Sequence, residues 1–313
     1  MSAEISVTVV IPAYNAQETL ACALDSVLAQ TRSADEIIVV DDASSDGTAA
    51  VAESYGRHGI TVVHLPERRG AAAARNAGIR AAKGNWIAFL DADDEWLPIK
   101  LEKQVAAITT NPAASFIFCA SEEFSPEGRS WGDTFRGGPV TSGSNAWKAL
   151  LACNFVATPT VVAPRNLLLQ LGGFDEKLAV AEDQDMWIRL ALAGPPAYMP
   201  ERLVRVHVRV QSLSSWSLGD QTAYTLPMIE RHLATLRDRL SRSEVRAIRG
   251  ARLHKIGVIT CDHGDLPAGL SMVLRSALLG YHPVRGLAMM VRALLRVCLS
   301  KPHFFRARGR MAI

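Results

Sequence analysis

The sequence predicts an α/β chain: a mostly parallel central sheet with helices on both faces over residues 1–218, followed by a basic helical C-terminal region over 219–313. Three observations lead there. Short β-branched or aromatic runs alternate with helical patterns through the first half, as in a parallel sheet covered on both faces. Three of those runs, VVIPAYN (9–15), VVDDASSDGT (39–48) and FLDADDEW (89–96), end in polar turns. In such sheets ligands bind beyond the carboxyl ends of the strands, where these turns fall. Charge, finally, is divided unevenly along the chain.

Taken in order, ISVTVVI (5–11), EIIVV (36–40), ITVVHL (60–65) and NWIAFL (85–90) read as strands. Between the first two, Leu20, Ala23, Leu24, Val27 and Leu28 keep helical spacing. After the second, Ser44, Ser45 and Asp46 with Gly47 carry turn and N-cap chemistry for the next helix. GAAAARNAGIRAA (70–82) predicts an alanine-rich helix, on which the ordinary place for Arg75 is a solvated face. Pro98 opens another helix. Glu182-Asp183 begins one whose face carries Met186, Trp187, Leu190 and Ala191. Past about 220 the chain reads as several helices, with turns at Gly264-Asp265 and His282-Pro283.

A chain of 313 residues, 49% apolar, can bury a substantial core and is long for one domain. The net charge of +3 hides sixteen Lys+Arg against four Asp+Glu in residues 231–313, leaving 18 against 27 before them. An acidic body thus carries a basic tail. Within it, GLAMMVRALLRVCLS (286–300) places Arg292 and Arg296 on the side of Arg285, opposite an apolar stripe. That pattern suits an anionic membrane surface along 284–310, and equally a helix packed on its own domain. No nucleic-acid-binding motif accompanies the charge. MSAEISVTVV predicts no secretory signal, no run reaches the length of a spanning helix, and five scattered cysteines fit a reducing cytosol. The expected location is cytoplasmic, with the inner face of a plasma membrane within reach of the tail.

Asp91 and Asp93 follow Ile87, Phe89 and Leu90, and residues two apart point to one side of an extended chain. Two hard oxygen ligands at a strand end suit Mg²⁺ or Mn²⁺, ions that bring phosphates with them. The plainer reading is a solvated acidic turn, with Asp94 capping a helix. Tyr14 has a ring suited to stacking on a base, or to the core. Glu182 and Asp183 suit the positive end of their helix.

VIPAYN, then DDASSDGT, then GAAAARNAGIRAAKGNWIAFLDADD, then LGGFDEKLAVAEDQDMWIRLALAG (171–194) resemble the family 2 glycosyltransferases over roughly residues 5–215. The resemblance implies a nucleotide-sugar donor and the A-type glycosyltransferase fold. It assigns the loop Pro12, Ala13, Tyr14 and Asn15 to the nucleotide, and Asp42 to the base N3–H. It turns Arg75, with Asn76, toward the diphosphate. Asp91 and Ala92 fall on the nucleotide sugar, Asp93 with Asp91 on a Mn²⁺ or Mg²⁺ ion, and Asp183 becomes the general base of an inverting transfer. A UDP-sugar is the expected donor, and a saccharide or lipid-linked hydroxyl in envelope or extracellular polysaccharide synthesis the expected acceptor.

One stretch departs from the family. Where it often shows R-x-H-x-x-S-x-S, this chain has His207-Val208-Arg209-Val210-Gln211-Ser212-Leu213-Ser214, so His207 and Arg209 both stay outside the site assignment. The processive signature Q-x-x-R-W is missing as well. Other readings stand beside the main one: a catalytically silent nucleotide-sugar-binding protein, a sugar-nucleotide-forming nucleotidyltransferase, and a membrane adaptor that uses only the tail. Acceptor choice is expected from Trp131, Trp147, Asn154 and Thr158-Pro159-Thr160.

Overall fold

The structure is a computed structural model that describes residues 4–125, 127–134, 140–208, 218–262 and 264–281. The chain divides into two compact units, Met1–Ser215 and Trp216–Ile313.

The first unit opens with β1 (Val7–Ala13), α1 (Leu20–Leu28), β2 (Glu36–Asp41), α2 (Thr48–Ser54), β3 (Ile60–His64), α3 (Ala71–Ala81) and β4 (Trp86–Phe89). Strand order β3-β2-β1-β4 is parallel throughout; β1, β2 and β4 are apolar runs with buried centres, while edge strand β3 buries only Ile60. α1 buries Leu20, Ala23, Leu24 and Val27, the positions its spacing marks, while Leu28 stays exposed. α3 is rich in alanine because it lies tight against the sheet. A Cβ at Gly78 would sit 2.4 Å from Val10 Cγ1.

The second half is mixed. It comprises β5 (Glu95–Trp96), α4 (Lys100–Thr110), β6 (Ile117–Phe124), β7 (Ser130–Asp133), α5 (Ala146–Ala152), β8 (Val161–Pro164), α6 (Arg165–Gln170), α7 (Glu182–Ala193) and β9 (Ala197–His207). β8 pairs antiparallel with β4 and β6, and β9 runs parallel to β6 and antiparallel to β5. The α/β expectation holds, with the parallel arrangement concentrated in the first four strands. Phe89, Phe116, Phe174 and Trp187 cluster at centroid separations of 5.5–6.1 Å, which packs α7 onto β4.

The second unit holds α8 (Leu218–Asp220), a π turn at Gln221–Thr225, α9 (Leu226–Thr235), α10 (Arg242–Asp262) and α11 (Leu266–Leu278). Asp265 caps α11 by accepting the Ala268 N–H at 3.1 Å. α10 and α11 meet through glycines: a Cβ at Gly257 would lie 2.7 Å from the Gly269 carbonyl oxygen. Among the described residues no helix is long and apolar enough to cross a membrane. The basic stretch 284–310 lies outside the described residues.

Candidate nucleotide-sugar site

The sheet opens where β1 and β4 part. β4 pairs with Val7–Val10 only, whereas β2 follows β1 to Ala13. Strand order reverses at this seam, which is where open α/β sheets form ligand crevices. The polar turns of the first three motifs follow β1, β2 and β4 at these strand ends. Three non-glycine residues among those described have positive φ: Asn15 (48°), Ala43 (55°) and Ala181 (63°). Asn tolerates that region, but alanine is strained there. One alanine follows Asp42 and the other precedes Glu182, so strain sits beside both motifs.

Pro12 and Ala13 end β1 and Tyr14-Asn15 form the loop after it. Asn15 Oδ1 accepts the Ser45 N–H at 2.9 Å, and the Asn15 N–H donates to Ser44 Oγ at 3.0 Å. Gln17 Oε1 accepts the Gly47 N–H at 2.7 Å. The serine-rich turn is therefore stitched to the first loop, and Asp46 Oδ1 accepts the N–H of Thr48, the first residue of α2, at 2.9 Å. Tyr14 is 37% exposed, with the Arg68 guanidinium 4.0 Å from its ring centre.

Asp41 and Asp42 are both buried. Asp41 Oδ1 accepts the Ser44 N–H, and Asp42 accepts the N–H groups of Arg69 and Gly70, at 2.7 Å each, one on each oxygen. Gly70 precedes α3 with φ +88°, so Asp42 fixes the turn that aims that helix. Only 2% of Asp42 is exposed, and any base edge must share its oxygens with these two amides.

Arg75 is where the sequence's ordinary expectation fails. It is buried rather than solvated. One guanidinium nitrogen donates to Asp91 Oδ1 at 2.8 Å and another to Glu182 Oε1 at 2.7 Å. Burial works against its charge, but Asp91 and Glu182 outweigh it and hold the pKa above its ordinary value. Its Nε is buried without a hydrogen-bond partner. Asn76 grips the next motif: its amide donates to the Phe174 carbonyl and accepts the Phe174 N–H.

In the D-A-D-D turn, Ala92 is buried and Asp93 half-buried. Asp94 is buried and accepts the His207 N–H at 3.0 Å. Glu95 then meets His207 Nε2 at 3.2 Å and Arg205 at 3.3 Å. His207 therefore belongs to the Glu95 contact, and Arg209 lies outside the described residues. No group of three His, Cys, Asp or Glu side chains able to hold a metal occurs among the described residues. One or two carboxylates completed by substrate phosphates is the ordinary way to bind Mg²⁺, so Asp91 and Asp93 fit an ion that arrives with a diphosphate.

Asp183 stands at the start of α7, half-buried. Its Oδ1 accepts the Gln184 N–H at 2.6 Å, and its Oδ2 the Asn154 side-chain N–H at 2.9 Å. Its pKa is pushed up to about 7 by burial and then by Glu182, against smaller opposing contributions from Gln184, Arg75 and Asn154. Arg75 thus joins the Asp91 turn to the Glu182-Asp183 helix in one charged array. Sequence reading missed the bond from the His207 N–H to Asp94 and the bond from Asn154 to Asp183, for neither has a spacing signal. It also placed Trp147 in an acceptor groove, whereas the ring is buried, and Thr158 and Thr160 are buried too. Trp131 is exposed.

The family profile described as Glycosyl transferase family 2 matches residues 8–156, which takes in the first three motifs but not Glu182-Asp183. TuaG of Bacillus subtilis, named for teichuronic acid biosynthesis, is 33% identical over 230 residues, 72% of this chain and 88% of TuaG. The Escherichia coli UDP-Glc:alpha-D-GlcNAc-diphosphoundecaprenol beta-1,3-glucosyltransferase WfgD is 39% identical over 105 residues, 34% of this chain and 42% of WfgD. Among solved structures, the mannosyltransferase PcManGT of Pyrobaculum calidifontis in complex with GDP-Man and Mn²⁺ has a TM-score of 0.62 at 21% identity, over 95% of this chain and 81% of that one. TarS of S. aureus with UDP-GlcNAc has a TM-score of 0.59 at 16% identity, over 88% and 93%. These structural likenesses show a shared A-type glycosyltransferase fold. With the parallel half-sheet, the polar turns at its seam and a relative matched over most of its length, this chain belongs to the family 2 glycosyltransferases.

Proposed function

We propose that the chain transfers a sugar from a nucleotide diphosphate sugar, a UDP-sugar first, to a hydroxyl of a saccharide or lipid-linked acceptor, inverting the anomeric centre. The observation that carries this reading is Asp183. It is a half-buried carboxylate of raised pKa, linked through Glu182 and Arg75 to the Asp91 turn. In a single displacement the acceptor oxygen bonds to the anomeric carbon as the bond from that carbon to the diphosphate oxygen breaks. The bonding pair leaves with the nucleotide diphosphate, and the acceptor's proton passes to Asp183. Tyr14 offers a face to the base, Asp42 shapes the pocket wall and offers the base its shared oxygens, and Arg75 supplies positive charge near the diphosphate. A bound Mn²⁺ or Mg²⁺ on Asp93 and Asp91 would neutralise charge on the leaving diphosphate.

The relatives named for teichuronic acid and for a diphosphoundecaprenol acceptor support envelope polysaccharide synthesis on the cytoplasmic side of a membrane. In that setting residues 1–218 form the catalytic domain, and the basic region from 219 onward, through 284–310, meets anionic lipid. The test is a thermal-shift panel of UDP, GDP, dTDP and CDP with and without Mn²⁺. A ligand at a hundredfold excess over Kd stabilises by about 2.7 kcal/mol. Metal-dependent stabilisation by UDP, lost in Asp93→Ala, is the expected result. No shift with any diphosphate would overturn the reading.

A further inference from the structure

Asp183 does not hold its position alone. Asn154 stands two residues past α5 and is 7% exposed, too enclosed to swing away. Its Oδ1 accepts the Val156 N–H at 3.2 Å, which leaves Nδ2 as the atom facing Asp183 Oδ2 at 2.9 Å. The assignment is chemically forced, because an ionised carboxylate only accepts and a carbonyl oxygen in that place would repel it. A second tie fixes the platform: Gln184 Nε2 donates to the Leu150 carbonyl at 2.5 Å, locking the first turn of α7 onto α5. The Gln184 N–H occupies the other oxygen of Asp183. A donor on each oxygen stops the carboxylate from rotating and leaves one acceptor position on each.

Resting on the reading of Asp183 as general base, we propose that Asn154 is the positioning residue for that base, setting its rotamer and holding it ionised. The groups facing Asp183 make that second task necessary. Glu182, its neighbour on α7, opposes a second negative charge, while Arg75 of α3 favours one but is already bonded to Asp91 and Glu182. Asn154, in the loop after α5, is a neutral donor. Its N–H bonds to the charged form and makes no demand on the shared guanidinium.

The test is carboxyl ¹³C NMR titration of Asp-labelled protein, with Asp183→Asn identifying the Asp183 signal, alongside UDP release from UDP-glucose with Mn²⁺. Asn154→Ala removes the donor. Asn154→Asp is isosteric, removes the donor and adds a like charge, so it serves if the alanine variant fails to fold. Both are expected to move the Asp183 midpoint to higher pH, the aspartate variant further. Both should lower kcat by about 10–100-fold, as loss of a supporting hydrogen bond does at other sites. KM for UDP-glucose and the UDP thermal shift should stay as in the native chain. An unmoved midpoint, or a raised KM with kcat intact, would overturn the inference. If Asp183→Asn turns over normally, the base reading falls and this one with it. If Asp183→Asn is inactive while both Asn154 variants keep the native midpoint and rate, only the role of Asn154 falls.

Discussion

Arg75 and Glu182 are 107 positions apart in the chain and meet at 2.7 Å. Because the same guanidinium also holds Asp91, the D-A-D-D turn and the E-D helix cannot shift independently of each other.

Arg75→Ala leaves two carboxylates without their shared cation. Removing one partner of a buried ion pair costs about 3–5 kcal/mol, and the 28% exposure of Asp91 places this case near the lower figure. Arg75→Lys cannot span both partners and should recover little. Urea denaturation checks this as a lowered midpoint at unchanged slope.

Asp183→Asn should abolish transfer, a loss of about 10²–10⁴-fold for a general base. It should also stabilise the protein as pH rises. A carboxylate whose folded pKa is raised to about 7 binds more protons folded than unfolded. The native chain therefore loses stability between the ordinary aspartate pKa and about 7, and the variant does not. The gain in Tm over native should be larger at pH 8 than at pH 4. Native activity should rise with pH through about 7.

Asp42→Asn separates a wall brace from a reader of the base. The amide keeps one acceptor oxygen and turns an NH₂ toward a backbone N–H, orphaning it at about 1–3 kcal/mol. Lowered stability of the ligand-free protein, together with weaker UDP binding, is expected from thermal melts with and without UDP.

Lys100 is fully buried, its Nζ has no hydrogen-bond partner, and burial lowers its pKa to about 7. The face of Trp96, its centre 3.4 Å from Nζ, favours the charge, and so does neighbouring Cys119. A lysine of lowered folded pKa binds fewer protons folded than unfolded, so its penalty is full below about 7 and fades toward its ordinary value. Lys100→Met should therefore raise Tm more at pH 6 than at pH 9.5.

The parallel half of the sheet was legible because β-branched runs and helical spacing are local signals. EIIVV reads as 36–40 and β2 spans Glu36–Asp41. The polar turns were legible as loops at the strand ends for the same reason. The burial and ion pairs of Arg75 were not, because an alanine run has no apolar stripe to orient it, and its partners lie 16 and 107 positions away; only the family resemblance turned it toward the site. The bond from Asn154 to Asp183 escaped in the same way, since Asn154, expected at the acceptor, is a single polar residue in a loop whose partner is on α7. β9 escaped too, since AYMPERLVRVH carries a proline and three charges and owes its extended form to pairing with β6 and β5.

Pro12 has a consequence for how the crevice stays open. The Leu90 N–H reaches the Val10 carbonyl, so alternate residues of β1, Pro12 among them, turn their backbone groups toward β4. At Pro12 that side has no N–H to offer. The two strands cannot zip further, however well their neighbours would match. The gap between them is thus written into the backbone as a missing donor, and it survives changes to the side chains around it. Pro12→Ala would restore the N–H and give the sheet a way to heal its own opening.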